Sequence, residues 1–275
     1  MKPICLFILL PLALFACGPE QKTGAEGTDP NLLEDQWIFD TILLEKEAGD
    51  CAVTETGCIT IALSYPQVHE PDSVGRLVNK QILGLLLGPL RDSFDNAEAY
   101  SNSLLQEYKS FSKGSSNATG WQIENVVGLE YASNQLISVR MESFENLGGA
   151  SPNLKVGLRS FSQSTGKRLV LADVFEPNYE DSLLFLCHYH LKQALTTNLE
   201  VTFDQGFLAD REKGFELNEH FLLNEVGISF VYFDPAFQAS GTGWIEFTVP
   251  YSELIEANIL NEKGALGFLL GSVNL

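Results

Sequence analysis

The hydrophobic period of this chain changes near residue 121, and that change limits the fold more than any single motif. Upstream, Val74, Leu77, Val78, Ile82 and Leu85 recur at helical spacing behind Asp72, a capping residue. Gly88-Pro89 stops that run. A second helix begins near Asn96, sets Ala97, Leu104, Leu105, Tyr108 and Phe111 on one side, and ends at Lys113-Gly114-Ser115-Ser116. From Trp121 the period falls to two. Val127, Leu129 and Tyr131 alternate before Ser133-Asn134, and Ile137, Val139 and Met141 alternate after it, which predicts a hairpin. Leu154 to Phe161 and Arg168 to Leu171 around Ser164-Thr165-Gly166-Lys167 predict a second hairpin. A third helix is expected over about Asp181 to Leu199, with Leu184, Cys187, Leu191 and Leu195 buried. Strand-like segments precede these elements (Trp37 to Lys46, Cys58 to Tyr65) and follow them (Phe215 to Leu217, Gly227 to Phe233, Trp244 to Val249, Leu266 to Val273). Long helices segregated from antiparallel hairpins give an α+β class, with about three helices packed on hairpins and sheets.

The amino terminus predicts where such a body works. Lys2 is a positive n-region, and Ile4 to Phe15 is an apolar run too short for a stable membrane span. Leu14-Phe15-Ala16-Cys17 resembles a bacterial lipobox, with Phe15 bulkier than usual. The resemblance implies a signal peptide over residues 1–16, cleavage before Cys17 and lipidation of that cysteine, palmitate included. Residues 17–35 are rich in Gly, Glu, Thr and Pro without periodicity, as a flexible tether is. Residues 36–145 and 146–275 then read as two α+β halves. Gly18 after the lipidated cysteine favours onward transport to the outer membrane under the enterobacterial sorting tendency. The expected address is the cell envelope, with the membrane reached through lipid.

Charge narrows the partners. The chain carries 17 Lys and Arg against 36 Asp and Glu. Loss of the signal removes one of the 17 and leaves a formal charge near −20. Such a surface repels nucleic-acid phosphates and attracts cationic partners at long range, while also serving solubility. The cysteines fit an oxidising compartment. Cys51 and Cys58 flank a short turn-rich loop that a disulfide closes easily, and no third or fourth metal ligand lies nearby in sequence. Cys187 falls on an apolar helix face as a buried structural thiol.

Motifs that carry chemistry are sparse. His188 and His190 lie two apart on a helix, about 200° around its axis, and do not grip one metal together. His69 and His220 sit in expected loops beside acids. Ser110-Phe111-Ser112-Lys113 fits a Ser-x-x-Lys pattern, but the only Lys-Thr-Gly, residues 22–24, precedes it inside the tether. There is no Gly-x-Ser-x-Gly elbow and no glycine-rich phosphate loop ending in lysine. Asp173, Asp234 and Glu253 read as turn or helix starters. No catalytic residue, metal or cofactor is expected from these patterns.

Several short phrases carry a family resemblance. They are Gly148-Gly149-Ala150-Ser151-Pro152, then Phe161 followed by Ser164 through Phe175, then Gly227 through Pro235, Gly241-Thr242-Gly243 and Val249-Pro250-Tyr251-Ser252-Glu253-Leu254. Upstream, Tyr65-Pro66-Gln67-Val68 and Val78-Asn79-Lys80-Gln81-Ile82 fit the same pattern. Together they resemble a bacterial extracytoplasmic domain family, one of unknown function. It is shared by the lysozyme-sensing anti-sigma factor and the accessory region of peptidoglycan deacetylases. Ser151 stands where that family commonly carries histidine, so no imidazole role transfers. The sequence contains neither a deacetylase domain nor a sigma-binding tail. The resemblance implies a fold and an envelope setting. Read from the residues alone, Gly148-Gly149 permits positive φ or close backbone approach, and Tyr251 buries its ring while its hydroxyl stays bonded. Gly148, Gly149 and Tyr251 therefore stand as a turn motif or a binding motif.

These readings converge on a non-catalytic envelope lipoprotein that binds a protein or a glycan. Lysozyme-like cationic enzymes and peptidoglycan are the two ligands that the resemblance suggests. The alternatives are a carboxylate-dependent envelope glycan hydrolase, or a scaffolding subunit of an outer-membrane complex.

Overall fold

The strands are of two kinds, those with one wet face, such as the third, and those covered on both, such as the seventh. The computed structural model describes residues 37–51, 57–70, 72–88, 93–114, 119–198, 216–233 and 243–267. All of these lie in one unit, Asp35–Leu275. The first sheet has the order β1 (Ile38–Gly49), β2 (Cys58–Glu70), β3 (Trp121–Ala132), β4 (Leu136–Asn146), β5 (Asn153–Ser162). β1 and β2 pair antiparallel, with Gly49 opposite Cys58, and the disulfide Cys51–Cys58 closes the turn at a Cα separation of 5.1 Å. Gly49 has φ 97°, and a Cβ there would meet the Gly57 carbonyl, so this tip requires glycine.

β2 and β3 run parallel, from Ile59 opposite Trp121 to Ser64 opposite Val126. The sheet is therefore mixed, where the sequence pattern predicts antiparallel pairs throughout. Helices α1 (Asp72–Leu87) and α2 (Ala97–Lys113) form the crossover that a parallel pair requires. Val78, Ile82, Leu86 and Leu87 of α1 bury against Ile59, Ile61 and Leu63 of β2 and Trp121, Ile123 and Val127 of β3. Leu77, assigned by spacing to this stripe, is 51% exposed. Asn125 sits in the buried row of β3 because its amide nitrogen donates to the Leu86 carbonyl (3.0 Å), one of the orphan acceptors at the end of α1. Asn96 caps α2 by accepting the Ala99 N–H at 2.8 Å.

The second sheet, β6 (Phe221–Leu223), β7 (Gly227–Phe233), β8 (Trp244–Pro250), is antiparallel. Leu183, Cys187, Leu191 and Leu195 of helix α4 (Glu180–Asn198) pack with Phe221, Ile228, Phe230, Phe247 and Val249. The stripe begins at Leu183 rather than Leu184: Leu183 is fully buried and continues the four-residue spacing of Cys187, Leu191 and Leu195. Leu222 and Val231 face Val156 and Leu158 of β5, so this sheet is covered on both sides. Leu223 joins the two sheets. Its carbonyl accepts the Ser138 hydroxyl at 2.5 Å, its N–H donates to Ser160 Oγ at 2.8 Å, and the two serine oxygens lie 2.7 Å apart, all buried.

Three sequence expectations change. The second hairpin does not form as a strand pair: Arg168 makes a single bridge to Phe161, and Leu171–Val174 is a short helix, α3. Asp173 takes the Val170 N–H at 2.9 Å and winds the chain there. Glu216 and Leu217 are not in a strand, and β6 begins instead at Phe221. Leu266 is buried in the second core but lies in a turn, not a strand, and 268–273 are outside the described residues. A last short helix, α5 (Tyr251–Glu256), follows β8 directly at Pro250. Among the described residues no helix is long and apolar enough to cross a membrane.

Candidate functional site

Helix α4 offers two faces of different chemistry. Its buried stripe leaves Phe185 and Tyr189 on the outside, four residues apart along one face, at 71% and 48% exposure. Asp181, from the first turn, shares this side. α5 supplies the facing wall, where Glu253 and Glu256 project. Between the helices lies a groove of about 770 Å³ lined by Asp181, Phe185, Leu186, Tyr189, Glu253 and Glu256 among others. Three of its lining side chains are carboxylates, and among the described residues that line it none is basic.

Three contacts hold the wall in place. His190 Nε2 and Glu253 Oε2 lie 2.8 Å apart, tying α4 to α5. The Tyr251 hydroxyl donates to the Asn224 carbonyl at 2.8 Å, and its backbone N–H donates to Val226. Burial pushes the Tyr251 phenol well above its usual value, so it stays a neutral donor. Tyr251 thus fixes the start of α5 and, through it, the position of Glu253. The groove combines two aromatic rings with a carboxylate rim, an arrangement that suits an ammonium or guanidinium group.

The structure separates the sequence-predicted residues. Gly148 and Gly149 lie in the turn between β4 and β5, beyond Asn146, which pairs with Gln122. Gly148 has φ 78°, and a Cβ there would lie 1.8 Å from Thr119 Oγ1, so it serves close approach of backbone to side chain. Tyr251 packs against the second core, with Tyr131, whose partner Ser138 is near the opposite end of β4. The glycine pair and Tyr251 do not share a site. Ser151 is an exposed turn residue. Cys17 and Asp234 lie outside the described residues.

The remaining candidates fall into structural places. Burial raises the Cys187 thiol far above its usual value, which removes thiolate character. His69 is on β2, not in a loop, with Nε2 3.0 Å from Asp40 Oδ2. His220 precedes β6 against the Phe233 ring, and burial with Arg159 and Arg168 nearby lowers its pKa. Ser110 and Lys113 are exposed near the end of α2. Among the described residues no group of three or more His, Cys, Asp or Glu could hold a metal. The sequence reading missed Phe185 and Tyr189. Their signal was present: two aromatics four residues apart, off the stripe of Cys187, Leu191 and Leu195.

No family model matches the sequence, and no curated protein matches it. Solved structures share its fold, and two of them are DUF3298-family proteins. A DUF3298-family protein from Bacteroides fragilis superposes with a TM-score of 0.63 at 18% identity, covering 85% of this chain and 97% of that one. A DUF3298-family protein from Pseudomonas aeruginosa gives a TM-score of 0.60 at 19% identity, covering 82% and 96%. At these identities the likeness is one of fold.

Proposed function

We propose that this protein is a non-catalytic cell-envelope lipoprotein, anchored through Cys17, that captures a cationic polypeptide in the groove between α4 and α5. The observation that carries this reading is the pair Phe185 and Tyr189, exposed beside Asp181, Glu253 and Glu256. Two adjacent exposed aromatics mark a contact surface, and a lining in which no described residue is basic favours a positive ligand. The net charge of −19 over the whole chain draws such a ligand in from a distance. The family resemblance supports a lysozyme-like enzyme as the ligand class, and the lipobox-like residues support the anchor.

The test is titration of the full chain with egg-white lysozyme at low and at physiological salt. Binding is expected to weaken steeply with salt, as screening predicts. Phe185→Ala with Tyr189→Ala is expected to weaken it by about tenfold, in line with roughly 0.5 to 2 kcal/mol per cation–ring contact. Absence of lysozyme binding at low salt, or binding indifferent to both substitutions, overturns the reading. Incorporation of labelled palmitate that is lost on Cys17→Ala tests the anchor separately.

A further inference from the structure

A second hollow lies in the first half of the molecule, and it joins two phrases that the sequence left without a role. The β2–β3 ladder ends at Ser64, two residues before Pro66, which has no N–H to continue it. Past that point, Tyr65, Pro66 and Gln67 form one wall of a cleft of about 620 Å³. Helix α1 forms the facing wall with Lys80, Leu83 and Gly84, and the approach to α2 closes the end with Phe94, Asp95 and Asn96. Asn79 holds the walls at a fixed distance: its side chain accepts the Val68 N–H and donates to the Val68 carbonyl, both at 2.8 Å. Phe94 is held by Tyr100, with ring centroids 5.5 Å apart and planes at 67°.

We propose that this cleft binds a neutral saccharide. Its volume is that of a small-molecule site. Among the described residues that line it, one cation, Lys80, and one anion, Asp95, face it, so these give no single-signed field that would select a phosphate or a polybasic segment. Among the described residues, the Tyr65 hydroxyl and the side chains of Gln67, Lys80 and Asp95 make no hydrogen bond within the protein. Those groups supply both donors and acceptors, and the amide of Gln67 carries one of each at the spacing of neighbouring hydroxyls. Burial raises the pKa of Tyr65, which keeps its hydroxyl a donor. The Tyr65 and Phe94 rings with Leu83 provide apolar surface for the C–H side of a pyranose. A ligand with hydroxyls around its rim and C–H bonds on its faces uses both kinds of surface at once. This site shares no lining residue with the α4–α5 groove, so the two assignments stand or fall separately.

The experiment is calorimetric titration of the full chain in detergent with two probes, the tetrasaccharide of β-1,4-linked N-acetylglucosamine and maltotetraose. Saturable binding of either is expected. Phe94→Ala is expected to weaken it about tenfold, and Gln67→Ala about threefold to tenfold, the loss of one hydrogen-bonding amide. Gln67 is exposed, so its replacement leaves the fold intact and keeps the test valid if Phe94→Ala destabilises the protein. Phe185→Ala is expected to leave saccharide binding unchanged. No binding of either probe at about 10 mM, or binding unmoved by Gln67→Ala in a folded protein, overturns the proposal. Displacement of the bound saccharide by tetralysine does so as well.

Discussion

The two sheets solve burial in opposite ways. The five-stranded sheet takes helices α1 and α2 on one face, and its third strand alternates strictly between buried and exposed over Trp121 to Val127. The three-stranded sheet takes α4 on one face and β5 on the other, so six consecutive residues of β7, Gly227 to Tyr232, are buried. Aromatics fill the second core: Phe230 lies 5.9 Å from both Phe221 and Phe247, and Tyr232 stacks on Phe247 at 5.7 Å. The first core has its own aromatic group, Tyr108 and Phe111 against Trp121, and a disulfide closes its hairpin tip. The smaller sheet thus compensates for few strands with coverage on both faces.

The largest effect expected from this contrast is at Phe230, which is fully buried. Phe230→Ala should cost about 3 to 5 kcal/mol, the usual price of a large core cavity. Urea unfolding followed at Trp121 and Trp244 checks it, because each tryptophan reports a different region. One shared, shifted transition is expected. Separate transitions at the two tryptophans would break the idea that the sheets fold as one cooperative body.

The same contrast explains what the sequence made legible. A strand with one wet face prints its burial as alternation, so β3 and the turn at Ser133-Asn134 could be read directly, whereas β4 is buried continuously over Leu136 to Val139 because Ser138 reaches the second sheet. β6 is only three residues, all buried, and gives no period, which is why the expected strand fell at 215–217 instead of Phe221–Leu223. The parallel β2–β3 pairing was invisible because strand direction is set by the path of α1 and α2, not by either strand's pattern. The groove was half legible. Phe185 and Tyr189 could be placed outside the stripe of α4, but their meeting with Glu253 and Glu256 depends on the long-range contact between His190 and Glu253.

Reduction of Cys51–Cys58 ranks next. The bridge spans a sequence separation of 7, and chain-entropy reasoning assigns such a small loop about 2.5 kcal/mol. Unfolding with and without reductant measures it. An equal shift at both tryptophans is expected from a cooperative body, whereas a loss confined to the Trp121 signal would show that the first sheet, to which the disulfide belongs, unfolds on its own. Ser160→Ala should follow at about 1 to 3 kcal/mol, because it leaves the buried Leu223 N–H without its acceptor. That substitution acts on the joint itself, so it should reduce the coupling between the two tryptophan signals, and a neutral effect on both would show that the serine pair does not hold the sheets together.

The smallest effect separates two exposed phenylalanines, one in each region. Phe111 is 41% exposed, yet its ring lies 5.4 Å from Trp121 and 6.2 Å from Tyr108, so it still contributes to the first core. Phe185 is 71% exposed and, among the described residues, rests on no other ring. Phe111→Ala should therefore lower stability by about 1 kcal/mol, the scale of an aromatic pair contact. Phe185→Ala should change it by less than about 0.5 kcal/mol, as surface substitutions do. Parallel denaturation curves for the two variants decide the point. A side chain whose removal leaves folding untouched while lysozyme binding falls is kept for its partner, whereas a Phe185→Ala loss equal to that of Phe111→Ala would place its ring in the packing of the second region.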